Sequence, residues 1–332
     1  MKTIMKTLLL GTTLSLTLVG QSWAQQKIII GNFGEPEPYV AAIAEGKFDK
    51  ATGWNIEWRK FDSGADVNAA MASGAVVISE LGSVPLASGA SQGVGYEMFM
   101  VAKTIGAAES LITRDGAGIN KPADLKGKTI AVPIGSTSHF SLIGALKNWG
   151  IPQKDVKIVG MSPPEIGAAW SQKNVDAAFL WEPVKSKLLA NGKLLTTAGD
   201  VGKAGFPTFN GWVVDRKFAE ANQKGLIAFA KVINEANASY NKDKADWTAE
   251  SMNVKNISKI TGMTSPDVVK AMEGAHYPDG NEQVSKEMLA EGSANALKST
   301  ADFLKTNGLI GTTAPSYTKF VNPAIAKAAL GK

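Results

Sequence analysis

Gly135-Ser136-Thr137-Ser138-His139 sets three hydroxyls and an imidazole between an apolar, strand-like run and a helical one. A helix start presents backbone N–H groups that lack intrahelical partners, together with the positive end of the helix dipole. Hydroxyls beside those amides add donors with little bulk, which suits a sulfonate, a phosphonate or a carboxylate. An ordinary N-cap needs one hydroxyl, so a glycine followed by three of them points to anion binding. His139 can donate to the same anion or simply cap the helix. The segment lacks the Gly-Lys-Ser/Thr ending of a nucleotide phosphate loop.

Other loops offer complementary chemistry. In Gly82-Ser83-Val84-Pro85 the glycine lets backbone approach a ligand, and Ser83 either caps the next helix or donates to an anion. Asp62-Ser63-Gly64 reads as a cap. Trp181-Glu182-Pro183 supplies a flat apolar wall beside a carboxylate, suited to a small amine through cation–π contact and a charge-assisted bond. Glu37 offers a second carboxylate, and each glutamate reads equally well as a solvated surface charge. The absence of cysteine excludes thiolate catalysis and a cysteine-based metal site. Two histidines, His139 and His276, give little basis for a zinc centre. No Gly-x-Ser-x-Gly elbow accompanies His139. We therefore expect no catalytic residue, no metal and no cofactor.

The elements that position these loops alternate. Strands are expected over 27–31, 55–60 and 76–81, with helices over 38–45 and 65–73 between them. The same pattern restarts at Lys128, with helices over 140–148 and 165–172 and strands over 156–159 and 175–180. Such alternation predicts βαβ units, a largely parallel sheet and an α/β class. Asp66–Leu81 overlays Glu165–Leu180 without gaps, with Ala69, Ala70, Val76 and Leu81 recurring as Ala168, Ala169, Val175 and Leu180. The overlay pairs Gly34–Glu37 with Gly135–Ser138, and Gly82-Ser83 with Trp181-Glu182. Ligands of open α/β sheets sit where strands end and helices begin. Glu37, Ser83, Ser136, Thr137, Ser138, His139, Trp181, Glu182 and Asn210 are thus expected to border one cleft between two lobes. Strands over 98–105 and 110–114 leave the first lobe and one over 208–215 returns. Helices over 218–240, 265–273 and 282–305 complete it. The first lobe is assigned to 27–110 and 212–332, the second to 111–211.

Lys2 and Lys6, an uncharged stretch over 8–19 and the small-x-small triplet Ser22-Trp23-Ala24 read as a signal peptide, residues 1–24, cut after Ala24. Without a cysteine the mature chain has no site for a lipid anchor, and a freely diffusing periplasmic protein, a monomer, is expected. Removing Lys2 and Lys6 reduces 35 basic residues to 33 against 30 acidic ones, a net charge of +3. That mild excess is not clustered, so no nucleic-acid partner is expected.

Several segments resemble the taurine-binding proteins of sulfonate ABC importers. These are Trp58–Ala65, Leu81–Ala87, Ala131–Pro133 with Ser136–His139, Ala145–Gly150, and Pro163-Pro164 with Ala168–Trp170. The resemblance spans nearly all of the chain after Lys27. It implies the type II periplasmic binding protein fold, two lobes with doubly wound sheets and a ligand cleft between them. It also implies delivery of a small sulfonate such as taurine to an ABC permease in the inner membrane, without chemistry on it. Two-lobed enzymes of thiamine-pyrimidine and porphyrin-precursor metabolism share such a fold; the latter type requires a cofactor-bearing cysteine, absent here. The chain departs from the family in carrying Asn210 in place of an aspartate and Glu182 in place of an uncharged residue. Either the carboxylate facing the amine has moved, or the ligand is an alkanesulfonate or an aminophosphonate.

Overall fold

The structure, a computed structural model, describes residues 27–289 and 291–331. The expected signal peptide, 1–24, lies outside the described residues. Ten strands form among them: β1 (Lys27–Asn32), β2 (Asn55–Lys60), β3 (Ile78–Gly82), β4 (Tyr96–Thr104), β5 (Ser110–Arg114), β6 (Thr129–Val132), β7 (Lys157–Gly160), β8 (Ala177–Leu180), β9 (Gly192–Thr197) and β10 (Phe209–Asp215). They make two five-stranded sheets, ordered β2-β1-β3-β10-β4 and β7-β6-β8-β5-β9. The two orders are the same pattern used twice. In each sheet four strands run one way and a single reversed strand, β10 or β5, lies second from the edge. Hence β1, β2 and β3 occupy the positions of β6, β7 and β8, the units that overlay in sequence.

The chain passes between the sheets twice, through 105–109 and 198–208, and the two crossings touch where Ile105 N donates to Thr208 O at 3.3 Å. Gly106, at φ +57°, packs so closely on the backbone that a Cβ would meet Gly274 O at 2.5 Å. Gly274 O in turn accepts from Ala107 N and Ala108 N. The C-terminal segment therefore clamps the first crossing.

β3 and β10 are buried at nearly every position, as expected of strands covered on both faces, and Ile30, Ile78 and Trp212 are completely enclosed. The helix Gln223–Lys242 lays Leu226, Phe229, Ala230 and Ile233 on that sheet. Phe229 is the centre of an aromatic cluster, with ring centroids 4.8 Å from Phe48 and 5.4 Å from Trp212. The helix Glu291–Thr306 reaches further. Its Phe303 packs edge-on against Phe140 at 4.8 Å and Phe206 at 5.6 Å, which belong to the segment that carries the second sheet.

Two expectations are corrected and one helix is added. The helix anticipated over 218–240 is broken at Asn222, because Asp215 caps a separate short helix, Arg216–Ala221. The helix anticipated over 282–305 is two: Asp279 and Glu282 form a reciprocal cap on Gly280–Gln283, and the long helix begins only at Glu291. A helix at Met252–Thr261, capped by Ser251 and ended by Gly262 at φ +72°, carried ordinary start and stop signals that were passed over.

Replacing Phe229 with alanine removes the aromatic centre, and we expect a loss of about 3–5 kcal/mol, read from the urea unfolding midpoint. A leucine there should recover most of that loss.

Candidate ligand-binding site

Three helices start at the carboxyl ends of strands, and their first residues come together at one cleft. Gly64–Ala72 follows β2, Ser83–Ser91 follows β3, and Thr137–Asn148 follows β6 in the other sheet. In the last of these Ser136 Oγ accepts from His139 N at 3.1 Å and donates to Pro133 O at 2.6 Å, which fixes the loop. The preceding Gly82 is pressed against the opposite lobe: a Cβ there would stand 3.0 Å from Thr137 Cγ2 and 3.4 Å from Asn210 Oδ1. No side chain caps the helix that follows Gly82, so its first amides stay open to a ligand.

These starts border one narrow cleft between the two sheets. Gly64, Gly82 and Pro85 line it from the first lobe, and Ser136, Thr137 and Trp181 from the second. Phe33 meets Trp181 edge-on across it, with centroids 6.3 Å apart. The remaining lining residues, Glu35, Glu109 and Asn210, are acceptors. The cleft thus offers amides and dipole ends to an anion and carboxylates to a cation.

Glu109 lies in the first crossing and is almost entirely buried. Its Oε1 accepts from Thr137 Oγ1 at 2.5 Å, while Oε2 is buried without a hydrogen-bond partner. Burial pushes its carboxyl up to about 7, against the Thr137 hydrogen bond, which pulls it down.

Behind the lining is a closed ionic cluster. Lys103 Nζ, on β4, stands 2.8 Å from Glu35, 2.7 Å from Glu37 and 3.9 Å from Glu80. These carboxylates have oxygens within 4.8 Å of one another, close enough to hold a metal ion, but the lysine ammonium occupies that role. Burial raises the carboxyls of Glu35 and Glu37, and Glu80 raises both further against the pull of Lys103, so the cluster keeps a proton to higher pH than free glutamates would. Burial alone would lower Lys103, yet Glu35, Glu37 and Glu80 outweigh it and hold its ammonium well above the usual range. Glu80 also accepts from Tyr39 Oη at 3.2 Å and from Asn210 Nδ2 at 2.6 Å. Glu80 is the acceptor in this contact, which fixes the Asn210 amide and leaves its carbonyl oxygen for the side facing Gly82.

Of the residues expected at the cleft, Ser136, Thr137, Trp181 and Asn210 line it. The other five are buried behind this lining. Glu37 is taken by Lys103, and Ser83 Oγ accepts from Phe209 N at 3.4 Å. Ser138 Oγ is buried, out of hydrogen-bond geometry, and its hydroxyl acts on the Glu109 carboxyl. His139 Nδ1 accepts from Gly135 N, and burial lowers the ring to about 4, so it stays neutral. Glu182 caps the helix Val184–Leu189 by accepting from Ser186 N and Oγ and pairs with Lys185 at 3.2 Å. Glu35 and Glu109 are the polar lining residues that the sequence reading missed. Glu109 carried one signal, as the single charge in the crossing Ile105-Gly-Ala-Ala-Glu109-Ser110.

Lys103→Met leaves three buried carboxylates with no countercharge, and we expect a loss on the order of 3–5 kcal/mol. The sign with pH follows from the raised carboxyls: their neutral forms suit the folded state, so that stability is present at low pH and fades as pH rises. Urea unfolding of the variant should show a larger deficit at pH 8 than at pH 5.

The chain matches the NMT1-like family over residues 25–253. It is 40% identical over 286 residues to the taurine-binding periplasmic protein of Escherichia coli (strain K12), covering 86% of this chain and 88% of that one. In fold it is similar to the alkanesulfonate-binding protein SsuA of Xanthomonas axonopodis pv. citri bound to MOPS. The TM-score is 0.72 at 21% identity, over 91% of this chain and 97% of that one. The desulfurization enzyme DSZB also shares the fold, with a TM-score of 0.63 at 16% identity over 92% and 99% of the two chains. The chain therefore belongs to the NMT1-like family and is a relative of the taurine-binding periplasmic protein.

Proposed function

We propose that the protein is the solute-binding component of an ABC importer. It takes taurine or a closely related small aminosulfonate into the interlobe cleft and delivers it to an inner-membrane permease. The observation that carries this reading is a mixed lining, in which helix starts at Gly64, Ser83 and Thr137 meet the carboxylates Glu35 and Glu109 and the amide of Asn210. A ligand with a tetrahedral anion and an ammonium a few bonds apart satisfies both, with Trp181 and Phe33 against its carbon chain. The same lining suits an aminophosphonate, which is the second reading. Residues 27–104 with 209–331 form one lobe and 110–197 the other, with the two crossings between them. The signal segment is removed after Ala24, and the mature protein works in the periplasm as a monomer.

A binding role rather than catalysis fits the side chains at the cleft, although DSZB shows that this fold can carry an enzyme. The neutral His139 is turned to its own loop, and no cysteine exists to act as a nucleophile. Calorimetry of the mature, ligand-free protein against taurine, ethanesulfonate, 2-aminoethylphosphonate, sulfate and nitrate tests the assignment. Taurine should bind at least tenfold more tightly than ethanesulfonate, and mass spectrometry should recover it unchanged. Equal or tighter binding of sulfate or nitrate would overturn the aminosulfonate reading.

A further inference from the structure

The pocket holds two carboxylates, and their partners separate them. Glu35 is already bonded to Lys103 at 2.8 Å, and the Asn210 amide is committed to Glu80. Glu109 alone among these three has a buried oxygen, Oε2, with no hydrogen bond of good geometry, and the Ser138 hydroxyl acts on the same carboxyl and draws it down. An unpaired acceptor so enclosed is costly unless a donor arrives or the group takes up a proton. We propose that Glu109 is the residue that reads the ligand's amine, and that it gives up a proton when the ammonium binds. This rests on the aminosulfonate reading and names the group within that site that sets specificity for the amine.

The surroundings support the exchange. Burial holds the free carboxyl at about 7, so an appreciable fraction is protonated when the cleft is empty. Glu35 raises it further, Lys103 and the Thr137 and Ser138 hydroxyls lower it, and the Lys185–Glu182 pair stands nearby, with Lys185 Nζ bonded to Ala107 O. His139, at about 4, stays neutral over the same range and takes no part. An incoming ammonium selects the ionised form of Glu109. Affinity for an amine-bearing ligand must then fall as pH drops below 7, by about tenfold between pH 8 and pH 6. A sulfonate without an amine gains nothing from ionised Glu109, and its affinity should stay level or rise over the same interval.

The test is calorimetry of the mature protein with taurine and with ethanesulfonate from pH 6 to pH 8. Each titration is run in two buffers of different ionisation enthalpy so that proton release is counted. Taurine should release up to one proton near pH 6 and ethanesulfonate none. In Glu109→Gln, taurine affinity at pH 8 should fall at least about a hundredfold and lose its pH dependence, while ethanesulfonate changes by less than about threefold. The proposal is overturned if Glu109→Gln binds taurine within threefold of the unaltered protein, or loses both ligands equally. The first result places the amine elsewhere, and the second assigns Glu109 to lobe closure. If the variant does not fold, the proton count on the unaltered protein decides alone: no release with taurine overturns the proposal. Failure of the unaltered protein to bind either ligand at millimolar concentration would instead reject the aminosulfonate reading itself.

Discussion

Lys103 carries its ammonium into the interior of the first lobe, where Glu35 and Glu37 each approach within 2.8 Å and Glu80 stands at 3.9 Å. An ion in such a place must be paired, and this pairing organises what surrounds it. It ties the loop after β1 to β4, and through Glu80 it reaches β3 and the side chain of Asn210 on β10. Four neighbouring strands of one sheet are thereby linked under the floor of the cleft. The orientation of Asn210 and the occupancy of Glu35 follow from that network rather than from any ligand.

The cleft above it works by division of labour. Helix starts that arrive from both sheets provide fixed dipoles and open amides, at no cost in flexible side chains. The acidic side is supplied by residues of different availability: Glu35 is neutralised from behind, while Glu109 is enclosed and half-satisfied by Thr137. Because Glu109 lies in a crossing and Thr137 begins a helix of the second lobe, the bond between them spans the region where the lobes meet. Recognition of charge and the relative position of the lobes are in this way joined at one hydrogen bond.

Much of this architecture was legible in the residues. The gapless overlay of Asp66–Leu81 on Glu165–Leu180 anticipated two sheets of like order, because a repeated βα unit must bury the same face each time. The Ser136–His139 loop was readable because a helix start has a strong local signature. What sequence did not yield was contact across the chain. Glu37 and Glu182 looked as available as any surface glutamate, yet Lys103 and the Lys185–Ser186 turn claim them through pairings that no short motif encodes. Edge strand β9 was overlooked because its Lys193 and Leu194 are both exposed and break the expected alternation. The helix boundaries after residue 215 failed at caps, where a single aspartate decides whether one helix continues or a second begins.

The ring cluster of Phe140, Phe206 and Phe303 has a kinetic consequence. It joins the helix that follows the anion loop to the C-terminal helix Glu291–Thr306, and none of its three rings lines the charged pocket. To part the lobes, these rings must separate and meet water, and each such aromatic contact is worth roughly 0.5–1.5 kcal/mol beyond its buried area. The cluster thus behaves as a hasp: it prolongs the residence of whatever is enclosed without touching it. Residence time can therefore be altered at Phe303 while selectivity is left to the pocket, so the two properties are set by different parts of the chain.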